Sequence, residues 1–372
     1  MKKLAPIALV SLVTTLFACN ATETTSPPVT SGLEVRAAKA PAAGYTATEI
    51  GTLPGDVESY AWAVNNAGYV AVMSTYFSST EPRRARWFIR SAAGNTMFNA
   101  GPIKGLSNGS TTYVAGYAAS GDAVVPTIWT FSPTSGFSLH GALDYSPGYG
   151  GSIEAVSDAA QATGGISFAG ASPAGGTSAG AIWNTDGTRI DIPNPDAATF
   201  EGVVGRAINN SGDVAIQMHD NFGLHRGYLR TSDGTMIMLP PLACHVSSLA
   251  RGVSERIGHV LHVAGTSDDR NGNYRAVRWT VDVSSPGIVA TQVRPERSYS
   301  IAMADDGTIA GDLSGAGTTA FVWKTNNTLV TLKPPKGSNS GTASSISGDG
   351  RFVAGAAKYG SYNKAVHWAA TP

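Results

Sequence analysis

Charged and aromatic side chains recur at the same position of seven similar segments of the chain. In each segment this position lies two residues before the apolar residue that ends a short apolar run. The residues at this position are Trp62, Lys104, Glu154, Arg206, Arg251, Ile301 and Ser344. A position that is apolar in only two of seven copies does not resemble a core position. Arg and Lys bind anionic groups through charge-assisted hydrogen bonds, and aromatic rings offer stacking contacts. This set therefore predicts a binding site for an anionic or glycan ligand.

A second set of cations stands at the start of a later strand in each predicted repeat. The aligned residues are Arg84, Val125, Ala179, Arg226, Arg275, Thr319 and Lys364. Four of the seven are cationic, and Tyr299 lies nearby in the repeat pattern. We predict that Arg84, Arg226, Arg275 and Tyr299 lie on the same ligand-binding face as the first set. The alternative is that these cations pair with carboxylates on a solvated surface, which is common.

These positions belong to a repeat of about 45 residues, a period typical of β-propellers. Its first element is a small residue, an apolar residue and then a short polar residue. The copies begin at Ala63, Gly105, Ala155, Ala207, Gly252, Ala302 and Ser345. The polar third residue can hydrogen-bond its own turn in six of the seven copies, Ala304 being the exception. The pattern predicts seven copies of a strand followed by a tight turn.

The third strand of each copy carries a bulky residue that can pack between neighbouring repeats. These residues are Phe88, Trp129, Trp183, Arg230, Trp279, Trp323 and Trp368. The last copy has no fourth strand, whereas residues 45–53 form a strand-like stretch with no repeat of its own. We therefore predict an all-β fold, a seven-bladed β-propeller of residues 45–372, whose ring is closed by an N-terminal strand completing the last blade.

The N-terminus has the pattern of an export signal. A positively charged start at Lys2 and Lys3 precedes an apolar run that is too short to span a membrane comfortably. Because the run ends with Ala18 and Cys19, it resembles a bacterial lipobox, and we predict a lipoprotein signal peptide in 1–19 with lipidation at Cys19. Residues 20–44, rich in Thr, Ser, Pro and Ala, are predicted to be a flexible linker. The protein is thus expected to be membrane-anchored in the bacterial envelope, at the outer membrane or cell surface.

The charge balance excludes one class of partner. Lys plus Arg and Asp plus Glu both total 26. Without a basic excess there is little to neutralise phosphates, so nucleic acid is not an expected partner. We expect a monomer.

Motifs for catalysis and metal binding are not supported by their context. Residues 105–109 and 176–180 match Gly-x-Ser-x-Gly, but that motif needs a strand-turn-helix beneath an α/β sheet. His259 and His262 are three residues apart, which places them on opposite faces of a strand. We therefore predict no catalytic residue, no metal site and no cofactor.

Several segments resemble the bacterial extracellular HAF-repeat proteins. Residues 50–55 (Ile-Gly-Thr-Leu-Pro-Gly) and 63–68 (Ala-Val-Asn-Asn-Ala-Gly) are similar to the opening of that repeat, and residues 319–323 (Thr-Ala-Phe-Val-Trp) to its later strand. The resemblance spans about residues 45–372, although no copy has the histidine of the family's name. It implies export and a propeller-like fold, and it transfers no catalytic residues.

Regular repeats without a catalytic motif favour a non-enzymatic binding or interaction module at the cell envelope. Its ligand would be a glycan or a protein, bound at the mouth of the propeller channel. One alternative is a glycan-cleaving hydrolase or lyase that uses a carboxylate such as Glu154 with a nearby Tyr or Arg. The other is a structural scaffold without a small-molecule site.

Overall fold

The structure is a computed structural model that describes residues 44–76, 84–120, 123–146, 150–168, 178–269, 271–315 and 317–371. The predicted signal peptide, the lipidation site Cys19 and all but the last residue of the predicted linker lie outside these ranges. The described residues form strands and turns and no helix, which confirms the all-β prediction. Within them, no helix is available to cross a membrane.

After β1 (Tyr45–Gly51), consecutive strands form antiparallel groups. The first group contains β2–β5 (Glu58–Val64, Val70–Tyr76, Arg84–Ser91, Gly94–Phe98). The second contains β6–β9 (Ile103–Leu106, Thr112–Ser120, Ala123–Ser132, Gly136–Ala142). The third contains β10–β13 (Gly150–Val156, Ala162–Ser167, Ser178–Trp183, Arg189–Ile192).

The remaining groups repeat this order. The fourth contains β14–β17 (Gly202–Ile208, Val214–His219, His225–Arg230, Met236–Leu239). The fifth contains β18–β21 (Ser247–Val253, Val260–Asp268, Tyr274–Asp282, Gly287–Val293). The sixth contains β22–β25 (Ser298–Met303, Ile309–Leu313, Thr319–Trp323, Leu329–Thr331). The last contains β26–β28 (Ser340–Ile346, Phe352–Tyr359, Tyr362–Ala370).

The last group gains its fourth strand from the start of the folded chain. β1 pairs antiparallel with β28, with Tyr45 opposite Ala370 and Ala47 opposite Trp368. The Tyr45 hydroxyl also donates a 2.7 Å hydrogen bond to the carbonyl of Gly350. The edge of β28 is therefore paired rather than left open to another chain.

In six of the seven groups, a polar side chain closes the turn that follows the first strand. Asn209 Oδ1 accepts hydrogen bonds from the backbone N–H groups of Ser211 and Asp213, at 3.0 and 2.8 Å. Side-chain oxygens accept equivalent bonds at Asn65, Ser107, Ser157, Ser254 and Ser347. The predicted turn chemistry is confirmed in all six polar copies, and it fixes where each first strand ends.

Large tryptophans fill the space between neighbouring groups. Trp279 of the fifth group belongs to one buried cluster with Leu229 and Leu239 of the fourth, and its Nε1 donates to the carbonyl of Pro240. Trp183 and Trp368 are also fully buried and donate to backbone carbonyls. Because the core lies between groups, no single group could bury its own apolar face.

The first group departs from the predicted alignment. In the second group, Trp129 of the third strand pairs with Val114 of the second strand. At the same place in the first and fourth groups, Val70 pairs with Arg90 and Val214 pairs with Arg230. Phe88 lies two residues before Arg90. Arg90, not Phe88, is therefore the counterpart of the tryptophans. The residue equivalent to Arg226 is consequently Arg86, not Arg84.

Candidate ligand-binding channel

The first strand of every group contains a β-bulge at the position that the sequence analysis selects. In β2 the pairing with β3 passes from Ala61 to Ala63, so Trp62 has no partner in the ladder. The same register shift leaves out Lys104, Glu154, Arg206, Arg251, Ile301 and Ser344. A bulge interrupts the ladder and changes the direction of the extra side chain. We call these seven residues the bulge ring.

The bulge ring lines one cavity, to which all seven first strands contribute. The cavity has a volume of ≈ 210 Å³. The structure thus brings together five residues of the predicted site, namely Trp62, Lys104, Glu154, Arg206 and Arg251. We call this space the shared cavity.

Arg206 is the best anchored cation of the bulge ring. Its Nη1 lies 3.7 Å from Glu154 Oε2, and its Nε donates to Gln217 Oε1 at 3.0 Å. Gln217 Nε2 in turn lies 2.9 Å from His225 Nδ1. Burial, followed by the charges of His219, Arg251 and Arg206, lowers the pKa of His225. The neutral His225 ring therefore extends a chain of hydrogen bonds that holds the Arg206 side chain in place.

Arg251 has no such partner. Among the described residues, its guanidinium makes no hydrogen bond or ion pair, and it retains accessible surface within the shared cavity. Enclosure by protein lowers the pKa of Arg251, the charge of Arg206 lowers it further, and Glu154 opposes the shift. An arginine offers five N–H donors in a rigid fork. Arg251 is therefore a cation whose donors are available to a ligand.

Aromatic rings surround Lys104 in the bulge ring. Lys104 Nζ lies 4.9 Å from the centre of the Trp62 ring and 6.0 Å from that of Tyr117. Trp62 also contacts Trp87, with ring centres 6.0 Å apart. Lys104 is thus held in place by cation–π attraction, while Trp62 remains 38% exposed.

A second polar layer of the shared cavity comes from the turns. We call it the turn belt; its members are Asn66, Asn108, Asp158, Asn210, Glu255, Asp305 and Gly348. Five of them line the cavity, namely Asn108, Asp158, Asn210, Glu255 and Asp305. This layer is not among the predicted site residues, although the residue after the turn-closing residue is polar in six of the seven copies.

Hydrogen bonds connect the turn belt from one group to the next. In the first four links, a backbone N–H group donates to a side-chain oxygen of the next group: Asn66 to Asn108 Oδ1 at 3.2 Å, Asn108 to Asp158 Oδ1 at 2.6 Å, Asp158 to Asn210 Oδ1 at 2.8 Å and Asn210 to Glu255 Oε1 at 2.8 Å. In the next two links the acceptor is a backbone carbonyl, from Glu255 to Asp305 O at 3.1 Å and from Asp305 to Gly348 O at 2.8 Å. The backbone N–H of Gly348 then donates to Asn108 Oδ1 at 3.1 Å. The first and last groups are therefore linked through the same network.

Asp305 differs from the other belt residues because its carboxyl group makes no hydrogen bond among the described residues. Burial raises its pKa to about 7, and the charges of Glu255, Asp158, Asp306 and Asp349 contribute to this shift. Gly348 of the last group lies next to this carboxyl group, and a Cβ atom at Gly348 would clash with Asp305 Oδ2. The glycine leaves room for the Asp305 carboxyl group at the cavity wall.

The remaining predicted residues lie elsewhere. Arg84, Arg226, Arg275 and Tyr299 do not line the shared cavity. Tyr299 stacks on Tyr274 with ring centres 4.6 Å apart, and Arg275 donates to the carbonyl of Tyr274.

Two cations of the second set are paired with carboxylates. Arg86, which replaces Arg84 in the alignment, forms a 2.8 Å ion pair with Asp56. Lys364 forms one of 2.8 Å with Glu49. These pairs fit the surface ion-pair alternative better than a second ligand ring.

Among the described residues, no group of three or more His, Cys, Asp or Glu side chains has the arrangement of a metal site. The two layers of the shared cavity differ in charge. Cations and Trp62 form one layer of the shared cavity, and carboxyl and amide groups form the next.

No family model and no curated protein sequence matches the chain. Among solved structures, the chain is similar to the β-propeller domain of the Trilobed protease from Pyrococcus furiosus, with a TM-score of 0.54 and 11% sequence identity over 85% of this chain and 94% of that chain. It is also similar to the uncomplexed acylaminoacyl peptidase of Pyrococcus horikoshii, with a TM-score of 0.51 and 12% identity over 81% of this chain and 49% of that chain. This chain thus spans about half of that peptidase. At these identities the similarity shows a fold of the β-propeller type.

Proposed function

We propose that this protein is a non-enzymatic binding module that holds a small anionic group, such as the carboxylate of a glycan or peptide, in the shared cavity. The observation that carries the proposal is the unpaired guanidinium of Arg251 on the cavity wall. Arg251 is exposed to solvent in the cavity and has no counter-charge among the described residues, so an anion that reaches it gains charge-assisted hydrogen bonds.

The charges of the bulge ring support this proposal. Its three cations, Lys104, Arg206 and Arg251, share one carboxylate, Glu154, which lies against Arg206. Arg206 and Arg251 also repel each other, as the lowered pKa of Arg251 reflects. A bound anion would relieve this repulsion.

The size of the cavity supports a small ligand. Pockets for drug-sized molecules have volumes of about 300–1,000 Å³, whereas this cavity has ≈ 210 Å³. It fits one sugar or amino-acid residue, either alone or as the end of a larger molecule. A protein or polysaccharide ligand would therefore insert only a terminal group.

The proposal includes the architecture and the location of the module. We propose that the seven groups are the blades of a closed propeller, supported by the β1–β28 pairing and the hydrogen bonds of the turn belt. Export and lipid anchoring through Cys19 would place the cavity at the bacterial cell envelope.

A glycan-cleaving enzyme is the second candidate, and the raised pKa of Asp305 is the observation that favours it. An acid with a pKa of about 7 in a cavity can act as a general acid, and Glu255 and Asp158 are nearby carboxylates. Turnover distinguishes this candidate from a binding module.

Titration calorimetry of the purified full-length protein in detergent tests the proposal with acetate, glucuronate and their amides as probes. We expect the carboxylates to bind and the amides not to bind. Arg251→Gln should abolish binding, whereas Arg226→Gln, which removes a cation outside the cavity, should preserve it. Equal binding to Arg251→Gln and wild type would contradict the proposal. Mass spectrometry of incubated uronate oligosaccharides detects cleavage, which would favour the enzyme.

A further inference from the structure

We infer that the ligand of the shared cavity is a zwitterion, with its anionic group on Arg251 and a cationic ammonium group on Asp305. This inference rests on the proposed function and names the class of ligand. It follows from two opposite charges that face one cavity and lack partners among the residues that the structure describes.

The other ionisable groups of the cavity already have partners. Glu154 lies against Arg206. Asp158 accepts hydrogen bonds from the backbone of Asn108 and from Asn210 Nδ2, and Glu255 accepts one from the backbone of Asn210. A ligand that displaced these bonds would lose about as much as it gained.

Among the described lining residues, the charged groups of Arg251 and Asp305 make no hydrogen bond or ion pair. The ammonium group of Lys104 also makes neither, but it lies over the Trp62 ring. Arg251 and Asp305 stand in neighbouring groups, because the backbone N–H of Glu255, four residues after Arg251, donates to the carbonyl of Asp305 at 3.1 Å. Yet they form no ion pair. The charges that shift the pKa of Arg251 are those of Arg206 and Glu154, and those that act on Asp305 are all carboxylates.

The two charges line one cavity but do not pair with each other. Four residues of extended chain cover roughly 13 Å, which limits the backbone distance between Arg251 and Glu255. A single ligand that contacts both groups must therefore carry its ammonium and carboxylate groups on one short spacer, as an amino acid does.

Protonation supplies an independent signature. The pKa of about 7 means that a fraction of the Asp305 carboxyl groups carries a proton at neutral pH. An ammonium group beside Asp305 favours the ionised form and releases that proton. A plain carboxylate bound at Arg251 would not do so.

The test uses the full-length protein and a series of ω-amino acids from glycine to 6-aminohexanoate, each compared with its N-acetyl derivative. N-acetylation removes the positive charge and keeps the carboxylate. We expect one spacer length to bind best, at least tenfold more tightly than its N-acetyl derivative, with proton release that calorimetry detects in buffers of different ionisation enthalpy. Asp305→Asn should abolish this preference, while Asp306→Asn, a neighbouring exposed change, should keep it.

The outcomes separate the inference from the proposed function. Equal binding of amino acids and N-acetyl derivatives, lost in Arg251→Gln, would overturn the zwitterion and leave the anion site intact. Absence of binding by every carboxylate would overturn both. If Asp305→Asn fails to fold, the comparison of each amino acid with its N-acetyl derivative on wild type decides.

Discussion

Glu154 Oε2 lies 3.7 Å from Arg206 Nη1 across two neighbouring first strands, and both residues occupy β-bulges. This carboxylate offsets one of the three cations of the bulge ring. It also repels any anion that approaches Arg251.

The first prediction follows from this ion pair. Glu154→Gln should strengthen the binding of acetate or glucuronate by about three- to tenfold, equivalent to about 1 kcal/mol. Calorimetry measures the change, and Glu201→Gln, outside the shared cavity, is the control. Unchanged or weaker binding in Glu154→Gln would show that the negative charge of Glu154 does not repel the bound ligand.

The second prediction concerns Arg278, which joins the fifth and sixth groups. It is 1% exposed, its guanidinium lies 4.3 Å from the Trp323 ring centre, and it donates to Gln292 Oε1 and the carbonyls of Trp323 and Lys324. Lysine cannot reproduce the planar fork, so Arg278→Lys should cost about 2–4 kcal/mol of unfolding free energy. Urea unfolding measures this loss. Arg90→Lys, on an exposed face, should change the unfolding free energy little. Equal losses in Arg278→Lys and Arg90→Lys would contradict a stabilising role for the buried Arg278 guanidinium.

The third prediction is a pH dependence of stability. Because the folded-state pKa of Asp305 is raised from 3.8 to about 7, its protonated form is favoured in the folded protein. Its contribution to stability is complete below about pH 4 and is lost as the pH rises through 7. Asp305→Asn stays neutral throughout, so the stability of wild type relative to this variant should fall between pH 4 and 8. The expected difference is on the order of 1–2 kcal/mol after allowance for partial exposure.

Unfolding curves of both proteins at pH 4.5, 6 and 8 measure this difference. Comparison with the variant cancels the contributions of other carboxylates, such as Asp233, whose pKa is lowered by its hydrogen bonds with Thr231 and Thr235. A constant difference between the two proteins would rule out a raised pKa for Asp305.

Much of the fold was predictable because the turn chemistry is local. Asn209 and its counterparts close their own turns, so their spacing located each first strand. The bulge ring was predictable for a related reason, since a residue turned away from the ladder into a wet cavity need not be apolar.

Two features were not predictable from the pattern. Phe88 and Arg90 lie two residues apart and hence on the same face of β4, so alternation alone could not decide which of them aligns with the tryptophans. This two-residue error assigned Arg84 to the place of Arg86. The turn belt was missed because polar residues are expected in any turn, and only the structure shows that Asp158, Glu255 and Asp305 face one cavity.

The fourth prediction tests the anchor at Cys19. If Cys19 is lipidated, the wild-type protein should fractionate with membranes and carry diacylglycerol, whereas Cys19→Ser should lose the lipid. Mass spectrometry of the N-terminal peptide measures this, and a wild-type protein whose N-terminal peptide carries no lipid would contradict the prediction.

The fifth prediction concerns closure by β1. Tyr45→Phe removes the 2.7 Å hydrogen bond to Gly350 and should cost about 1 kcal/mol. Tyr362→Phe, at the exposed first residue of β28, should be nearly neutral. Deletion of residues 44–51 removes every pair between β1 and β28 and exposes a strand edge that other chains can join. We therefore expect a large loss of melting temperature together with concentration-dependent association in light scattering. A shortened chain that stays monomeric and as stable as wild type would show that β1 is dispensable and would contradict the proposal that β1 closes a ring.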